Sequence, residues 1–257
     1  MTYKIVFLDI DGTILNTKQE IPTSTKEAVN QLKEKGIDVV IATGRSPYHA
    51  KSIADELNVD SFVTFNGSFI VYKGKTVFKR PLSLEDLGTL YDLSLSKGHS
   101  LTYLGEKEYY TSVENDPHML ECLNSLHYII PEEKPLFWKE NDIFQVHLNC
   151  LDGEEKPYVQ SIPGFSFVRW HRTSLDVMPQ NSSKAAGIEE LLKYLHLSKE
   201  EAVAFGDGLN DKEMISYVGM GVAMGNAHEE LKSLANLITT HVDEDGILNG
   251  LKTIGLL

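Results

Sequence analysis

The sequence predicts an α/β protein with a Rossmann-like parallel sheet as its core, helices on both faces of that sheet, and an inserted α+β domain. Three observations lead to this fold class. Short apolar strand patterns alternate with amphipathic helix patterns up to residue 65, and the alternation returns after residue 179. Strand patterns dominate the stretch between them. The chain has 257 residues, 42% of them hydrophobic, which suffices for a core and one inserted module.

The first alternating stretch begins with KIVFL, a β-branched and aromatic run that is typical of a strand buried on both faces. Gly36 ends the helix pattern that follows, and Pro47 suits the first turn of the next helix. Because strands and helices alternate, we expect parallel strands joined by helical crossovers. The predicted elements are strand Lys4–Leu8, helix Thr23–Lys35, strand Ile37–Ala42, helix Pro47–Leu57 and strand Ser61–Phe65.

The pattern changes after the third strand. Ser68–Phe78 predicts a β-hairpin that turns at Lys73 and Gly74, and a capping box at Ser83–Asp86 begins a helix. The stretch that follows has α+β character, with strands as its main elements. The predicted strands are Leu101–Leu104, Tyr109–Val113, Ile143–Asn149, Phe165–Trp170 and Ser174–Met178, and the predicted helices are Asp116–His127 and Gly153–Ser161.

The alternation of strands and helices resumes after Pro179. The two alternating stretches therefore belong to one sheet. The simplest domain assignment is a core made of residues 1–82 and 179–257, split by an inserted domain at residues 83–178. The predicted elements of the last stretch are helix Ser182–Leu195, strand Ala202–Phe205, helix Asn210–Tyr217, strand Gly221–Met224 and helix Ala227–Leu234.

The composition restricts the partners and the compartment. A net charge of -13 does not provide the positive field that nucleic acid or an anionic membrane surface requires. The two cysteines, Cys122 and Cys150, form no CxxC pair, which favours reduced thiols. The sequence shows neither a secretory leader pattern nor an apolar run of membrane-spanning length. We therefore expect a cytoplasmic protein that binds neither nucleic acid nor membrane, while its oligomeric state stays open.

Two carboxylates follow the first predicted strand directly, in the run DIDGT. They belong to Asp9 and Asp11, at the carboxyl end of a parallel strand, where ligands bind in open α/β sheets. Two acids at this spacing repel each other unless a cation or a proton is held there, so the pattern favours Mg²⁺. Gly12 permits the sharp turn that directs both side chains to one point. The alternative is an ordinary solvated turn, in which Asp and Gly are common.

Further polar residues follow other predicted strands. Thr43, Gly44 and Arg45 come after the second strand, where a hydroxyl and backbone N–H groups are able to hold phosphate oxygens. A helix N-cap is the alternative role for Thr43. The run GDGLND, at residues 206–211, places more carboxylates at another strand end. Chance does not readily explain polar groups at three buried strand ends.

Two more residues are candidates for a ligand site. Lys184 lies in the first turn of a predicted helix, where cations are unfavourable, and this indicates that it serves an anion. A solvated surface lysine is the alternative. Asn66, at the end of the third predicted strand, either contacts the substrate or belongs to a plain turn.

These motifs together resemble those of the haloacid dehalogenase superfamily. The resemblance is carried by DxDGT at residues 9–13, ATGR at residues 42–45, Asn66 with Gly67, Lys184, and GDGLND. The motifs occur in the family's order, and the resemblance covers nearly the whole chain. The large insertion before Lys184 is similar to the C2-type cap of the Cof-type sugar-phosphatase branch.

The resemblance implies a Mg²⁺-dependent phosphatase. Asp9 would be the nucleophile that forms an aspartyl-phosphate, and Asp11 would protonate the leaving oxygen and then activate water. Mg²⁺ would bind the carboxylates of Asp9 and Asp207 and the backbone carbonyl of Asp11. The other implied roles are phosphate binding by Thr43, Gly44, Lys184 and Asn210, and support by Asp211, Arg45 and Asn66.

The expected substrate is a small phosphorylated metabolite, such as a sugar phosphate, with pyridoxal phosphate, flavin mononucleotide and polyol phosphates also open. The inserted domain is expected to select it. Two other functions stay open. A phosphomutase is the nearest alternative, because the same acids are able to return the phosphoryl group to a bound sugar. A non-catalytic, phosphate-binding regulatory protein is the alternative from another class, and the complete set of acids disfavours it.

Overall fold

The computed structural model describes residues 3–126 and 128–257. The chain divides into two compact units. The first unit runs up to Lys79 and continues with Ser183–Leu257, and the second unit is Arg80–Ser182. These divisions lie near residues 83 and 178, where the sequence analysis places its insertion. The function of the second unit as a substrate-selecting cap stays a prediction.

The first unit begins with three strands separated by helices, followed by a hairpin. The helices begin and end close to the positions that the sequence predicts. The elements are β1 (Ile5–Leu8), α1 (Thr23–Glu34), β2 (Asp38–Ala42), α2 (Pro47–Glu56), β3 (Phe62–Thr64), β4 (Phe69–Tyr72) and β5 (Lys75–Lys79).

The second unit contains five strands and three helices within the part of the chain that the structure describes. The predicted helix Asp116–His127 ends earlier, at Ser125, and His127 lies outside the described residues. The elements are α3 (Leu84–Lys97), β6 (Ser100–Gly105), β7 (Tyr109–Thr111), α4 (Pro117–Ser125), β8 (Ile143–Asn149), α5 (Lys156–Ser161), β9 (Phe165–His171) and β10 (Ser174–Pro179).

The chain then completes the first unit. The elements are α6 (Lys184–Leu195), β11 (Ala202–Gly206), α7 (Lys212–Tyr217), β12 (Met220–Ala223), α8 (Glu229–Lys232), β13 (Leu237–Ile238) and α9 (Gly246–Thr253). The sequence analysis makes no prediction for β13 and α9.

The sheet of the first unit has eight strands in the order β13-β12-β11-β1-β2-β3-β4-β5. The strands from β13 to β3 are parallel, and the hairpin adds β4 and β5 in antiparallel orientation. All four residues of β1 are fully buried. Because successive strand residues point to opposite faces, this burial means that both faces of the sheet are covered. The predicted α/β fold class is confirmed.

Three predicted boundaries in the first unit are wrong, and local backbone geometry explains each. The third strand ends at Thr64, because Phe65 and Asn66 have φ of 50° and 49° and turn the chain into the left-handed region. The helix expected from Asn210 begins at Lys212, after a 3₁₀ turn at Leu209–Asp211. The last helix expected, Ala227–Leu234, is reduced to Glu229–Lys232, because His228 has an extended ψ of 141° and stands at the N-cap position, where its N–H donates to the carbonyl of Asp207.

The second unit is built on an antiparallel sheet in the order β7-β6-β8-β10-β9. One face of this sheet contributes to an apolar core with Leu87 and Leu90 of α3 and Tyr158 of α5. Both cysteines of the chain lie buried in this unit as free thiols. No helix among the described residues is long and apolar enough to cross a membrane.

Candidate active site

The first unit brings three strand ends together. Strands β11, β1 and β2 are neighbours in the sheet and run parallel. Their carboxyl ends therefore meet at one edge, which is the edge where open α/β sheets bind ligands. Asp9 follows β1, Thr43 follows β2 and Asp207 follows β11.

A buried lysine joins two carboxylates at this edge. The Nζ of Lys184 lies 2.5 Å from Oδ1 of Asp9 and 2.6 Å from Oδ1 of Asp211. The side chains of Lys184 and Asp211 are 1% and 0% exposed, and that of Asp9 is 8% exposed. Lys184 is therefore a buried lysine that forms ion pairs with two carboxylates, and not a solvated surface lysine.

Two glycines allow Lys184 to reach this position. Lys184 is the first residue of α6, whose N-cap Ser183 accepts a hydrogen bond from the N–H of Ala186. A Cβ on Gly67 would lie 2.1 Å from the carbonyl oxygen of Ser183, and a Cβ on Gly187 would lie 2.6 Å from the Cα of Gly67. The start of α6 packs directly on the turn after β3 because neither glycine has a side chain.

The Asp207 carboxylate is held from two sides. Thr13 donates its hydroxyl to Oδ1 of Asp207 at 3.0 Å, and the Asn226 amide donates to Oδ2 at 3.3 Å. Asn226 also donates to the carbonyl of Gly12 at 2.8 Å, so it links the loop after β12 to the turn after β1. The sequence analysis missed Asn226. Its position just after a buried strand, the same signal that identified Asp9, Thr43 and Asp207, could have found it.

Carboxylate oxygens of Asp9, Asp207 and Asp211 lie within 4.8 Å of one another. The group contains neither histidine nor cysteine, and a set of carboxylate oxygens suits Mg²⁺. Oδ2 of Asp211 accepts the N–H groups of Asp207 and Gly208, and its Oδ1 accepts Lys184, so Asp211 is engaged at both oxygens. Asp9 and Asp207 are the better candidates for direct metal ligands. The three acids face one ammonium group, and a divalent cation would balance the excess negative charge.

Burial shapes the ionisation of this group. Burial first, and then the nearby Asp211 carboxylate, raises the pKa of Asp9 well above its ordinary value, against the opposing effect of Lys184. Burial also raises the pKa of Asp207 to about 6. Burial lowers the pKa of Lys184, but the carboxylates of Asp211 and Asp9 outweigh it, and that pKa lies above its ordinary value. Lys184 therefore stays cationic, and a bound cation would help to keep Asp9 ionised.

The Asp11 carboxylate lies outside the group of three. Its side chain is 55% exposed, and it is held by Arg45, whose Nε and terminal nitrogen donate at 3.0 and 2.5 Å. This is a two-pronged pairing of the kind that fixes a carboxylate's orientation. The predicted link of Asp11 to a metal through its backbone carbonyl stays a prediction.

The loop after β2 holds Thr43 at the edge of the sheet. The Thr43 hydroxyl accepts the N–H of Arg45 at 3.1 Å, and the Thr43 carbonyl accepts the N–H of Asn66 at 3.2 Å. Gly44 lies so close to Asn66 that a Cβ there would be 3.1 Å from the Asn66 amide. Thr43 and Asn66 are both buried, whereas Asn210 is exposed. The structure thus ties Thr43, Gly44 and Asn66 into one loop cluster, and the predicted contact of Asn210 with phosphate stays untested.

Comparisons with known proteins agree with this architecture. The profile of a family described as haloacid dehalogenase-like hydrolase matches residues 6–251. YkrA of Bacillus subtilis, which its name assigns provisionally to the phosphatases, is 43% identical over 257 residues, the full length of both chains. A crystal structure of a protein of unassigned function from Geobacillus kaustophilus is 45% identical and has a TM-score of 0.96, covering 99% of this chain and 100% of that one.

A third comparison connects the fold to a named activity in another protein. The sugar phosphatase BT4131, described as a member of subclass IIB of the HAD superfamily, is 29% identical. It has a TM-score of 0.85, and the alignment covers 99% of this chain and 100% of that chain. The resemblance inferred from the motifs is confirmed, and the chain belongs to the haloacid dehalogenase-like hydrolases.

Proposed function

We propose that this hydrolase is a Mg²⁺-dependent phosphatase that removes phosphate from small phosphorylated metabolites through an aspartyl-phosphate on Asp9. The observation that carries the proposal is the buried contact of Asp9 with Lys184, beside Asp207, at adjoining strand ends. A nucleophilic carboxylate, a fixed cation and a ligand set for Mg²⁺ are what attack on a phosphate dianion requires. The family membership and the phosphatase names of its relatives support the same class of reaction.

The proposed reaction has two steps. In the first, a carboxylate oxygen of Asp9 forms a bond to phosphorus while the bond from phosphorus to the leaving oxygen breaks, and Asp11 gives its proton to that oxygen. In the second, Asp11 takes a proton from water, whose oxygen forms a bond to phosphorus while the bond from phosphorus to the Asp9 carboxylate oxygen breaks. Inorganic phosphate leaves and Asp9 is regenerated.

The neighbouring groups have supporting roles in this proposal. Mg²⁺, when bound by Asp9 and Asp207, would screen the repulsion between the carboxylate and the phosphate. Lys184 and Thr43 would hold phosphoryl oxygens as charge moves during transfer, with Gly44 and Asn210 contributing contacts. The Arg45 pair would orient Asp11.

The second unit, Arg80–Ser182, is assigned the choice of substrate. It is a compact module with its own sheet and its own apolar core. A sugar phosphate or a similar metabolite is the proposed substrate class, and the acidic chain is unsuited to nucleic acid.

The test is phosphate release from alkyl and aryl phosphates by the unaltered protein, Asp9→Asn and Asp11→Asn. Asp9→Asn should abolish turnover and leave no phosphoenzyme. Asp11→Asn should lose about 10²–10⁴-fold of its first-step rate on alkyl esters and much less on aryl esters, because an aryl oxide leaves without a proton. Mass spectrometry of quenched Asp11→Asn should detect phosphate on Asp9.

Asp55→Asn is the matched control, because Asp55 is an exposed carboxylate of α2 that is paired with Lys51. It should behave as the unaltered protein does. Equal first-step losses of Asp11→Asn on both ester classes, or phosphate trapped on another residue, would refute the assignment.

A further inference from the structure

The side chain of Asn226 joins three segments of the first unit. Its amide nitrogen donates to the carbonyl of Gly12 at 2.8 Å and to Oδ2 of Asp207 at 3.3 Å. Its amide oxygen accepts the N–H of Val242 at 3.0 Å. These partners lie in the turn after β1, directly after β11 and in the loop between β13 and α9, residues 239–245. One side chain therefore fixes the relative positions of three segments that are separate in the sequence.

The contacts of Asn226 require an amide at this position. An asparagine side chain has one donating end and one accepting end, and both ends are matched here. The carbonyl of Gly12 only accepts and the N–H of Val242 only donates, so the orientation of the amide is determined. Aspartate would have no donor for Gly12, and it would bring a further negative charge beside Asp207.

The 239–245 loop also holds the backbone on both sides of this contact. The N–H of Gly225 donates to the carbonyl of Thr240 at 2.9 Å, and a Cβ on Gly225 would lie 2.7 Å from the carbonyl carbon of Thr240. Asp243, in the same loop, accepts the N–H of Thr17 at 3.2 Å and its hydroxyl at 2.9 Å. The 239–245 loop thus contacts both the loop that carries Asn226 and the residues that follow β1.

Asn226 and Thr13 divide the two oxygens of Asp207 between them. Oδ1 of Asp207 accepts the hydroxyl of Thr13 at 3.0 Å, and Oδ2 accepts the amide of Asn226. A carboxylate oxygen accepts more than one partner, so the two donors orient the carboxylate and leave capacity for a cation. A carboxylate held in this way does not have to be reoriented when a metal ion binds, and supporting bonds of this kind raise metal affinity.

We infer that Asn226 is a positioning residue, which holds Asp207 and the turn after β1 in the arrangement that binds Mg²⁺ and links that arrangement to the 239–245 loop. The inference rests on the proposed function, of which Mg²⁺ is a part. Asn226 acts through Asp207 and the backbone of Gly12, so its effect is on the binding of Mg²⁺ and not on the chemical step. Because such a link is reciprocal, Mg²⁺ orders the loop to the extent that the loop favours Mg²⁺ binding.

Titration calorimetry with Mg²⁺ tests the effect on the metal site. Asn226→Ala removes the donor to Asp207, and the dissociation constant for Mg²⁺ should rise by about 10–100-fold, as it does when outer support is lost at other metal sites. Asn236→Ala is the matched control, because Oδ1 of Asn236 also accepts a backbone N–H, that of Gly221 at 2.7 Å. Both variants should unfold at a lower urea concentration, but only Asn226→Ala should bind Mg²⁺ more weakly.

The dependence of turnover on Mg²⁺ separates a positioning role from a general loss of structure. The Mg²⁺ concentration that gives half-maximal release of phosphate from p-nitrophenyl phosphate should rise in Asn226→Ala by the same factor as the dissociation constant. High Mg²⁺ should therefore restore turnover to this variant, because the loss is one of binding. A variant with a damaged fold would lose turnover at every Mg²⁺ concentration.

Hydrogen exchange in the unaltered protein tests the link to the loop without any substitution. Mg²⁺ should slow exchange of the Val242 N–H, which Asn226 accepts, by about three- to tenfold, the value of one neutral hydrogen bond. The control is the N–H of Ser198, which also donates to a side chain, Oε2 of Glu201 at 2.9 Å. Ser198 precedes β11, whereas Asp207 follows it, so exchange of the Ser198 N–H should not depend on Mg²⁺.

The outcomes keep the inference apart from the proposed function. A folded Asn226→Ala that binds Mg²⁺ as tightly as the unaltered protein overturns the inference, and so does a Val242 N–H whose exchange Mg²⁺ does not slow. Equal losses of Mg²⁺ affinity in Asn226→Ala and Asn236→Ala overturn it as well, because a loosened fold then explains both. An unaltered protein that binds Mg²⁺ but releases no phosphate from any ester overturns the proposed phosphatase alone, and one that binds no Mg²⁺ overturns both.

Discussion

Gly12 is expected to be indispensable for the geometry of the metal group, and Gly12→Ala tests this. A Cβ at Gly12 would lie 2.2 Å from Oδ2 of Asp207, where ordinary contacts begin at 3.4 Å. The carboxylate would have to retreat by about 1.2 Å, the difference of these two distances. Its hydrogen bonds from Thr13 and Asn226, at 3.0 and 3.3 Å, would then be lost or strained.

The expected effect of Gly12→Ala has two parts, a loss of stability and a loss of Mg²⁺ affinity. Gly12 has a φ of 75°, and alanine in this left-handed region costs about 1–2 kcal/mol of stability. Displacement of Asp207 from its supporting hydrogen bonds should lower Mg²⁺ affinity by about 10–100-fold, as loss of outer support does at other metal sites. Titration calorimetry with Mg²⁺ measures the second part, and urea unfolding measures the first.

Gly36→Ala separates these parts. Gly36 has a φ of 74°, and no atom lies within 4 Å of its added Cβ. The Gly36→Ala variant should lose as much stability as Gly12→Ala, while its Mg²⁺ affinity should be unchanged. If Gly12→Ala and Gly36→Ala bind Mg²⁺ equally well, the close approach of Gly12 to Asp207 does not shape the metal site.

Three further predictions concern charge. Chelation should abolish phosphate release and Mg²⁺ should restore it better than Zn²⁺, because the ligand set is all oxygen; full turnover in chelator would contradict this. Lys184→Met leaves Asp9 and Asp211 buried without their cation, so the free energy of unfolding should fall by about 3–5 kcal/mol, and by more at pH 8 than at pH 5; a pH-independent loss in urea titrations would contradict the reasoning. Asp176 has a folded pKa of about 7, above its ordinary 3.8, so its stabilising contribution is complete below pH 3.8 and is lost as the pH rises through 7. Asp176→Asn should therefore gain stability relative to the unaltered protein between pH 4 and pH 7, and a constant difference over that range would show that the carboxyl titrates normally.

The sequence patterns predict those site residues whose position follows from a single strand end or a single helix start. Asp9, Thr43 and Asp207 each follow a buried strand, and strands of one parallel sheet end at one edge, so the pattern brings them together without knowledge of the tertiary structure. Lys184 was identified by its unfavourable place at a helix start. A cation is mildly unfavourable at a helix N-terminus, and here the carboxylates of Asp9 and Asp211 compensate it.

Long-range contacts were beyond the sequence patterns. The approach of Gly67 to Gly187 joins segments over a hundred residues apart, and neither glycine differs from a turn or helix glycine in the sequence. Asn226 resembles any loop asparagine until its bonds to Gly12 and Asp207 are known. The short helix α8 also begins late, because His228, whose N–H donates to the distant carbonyl of Asp207, has an extended ψ of 141°.

The environments of Asp9 and Asp11 differ in a way that suits the separate roles proposed for them, which the two-residue spacing alone does not explain. Asp9 is buried against Lys184 among other acids, a setting that holds an oxygen in place for attack and calls for a cation. Asp11 is exposed and orientated by Arg45, away from the group of three carboxylates, a setting that permits exchange of protons with solvent. A nucleophile needs a fixed position and few water molecules, whereas an acid and base must gain and lose a proton in every cycle. The chain leaves β1 after Leu8 and turns before Gly12, whose φ is 75°, and this turn places two identical residues in two different environments. The division of work that we propose follows from the environment and not from the residue type.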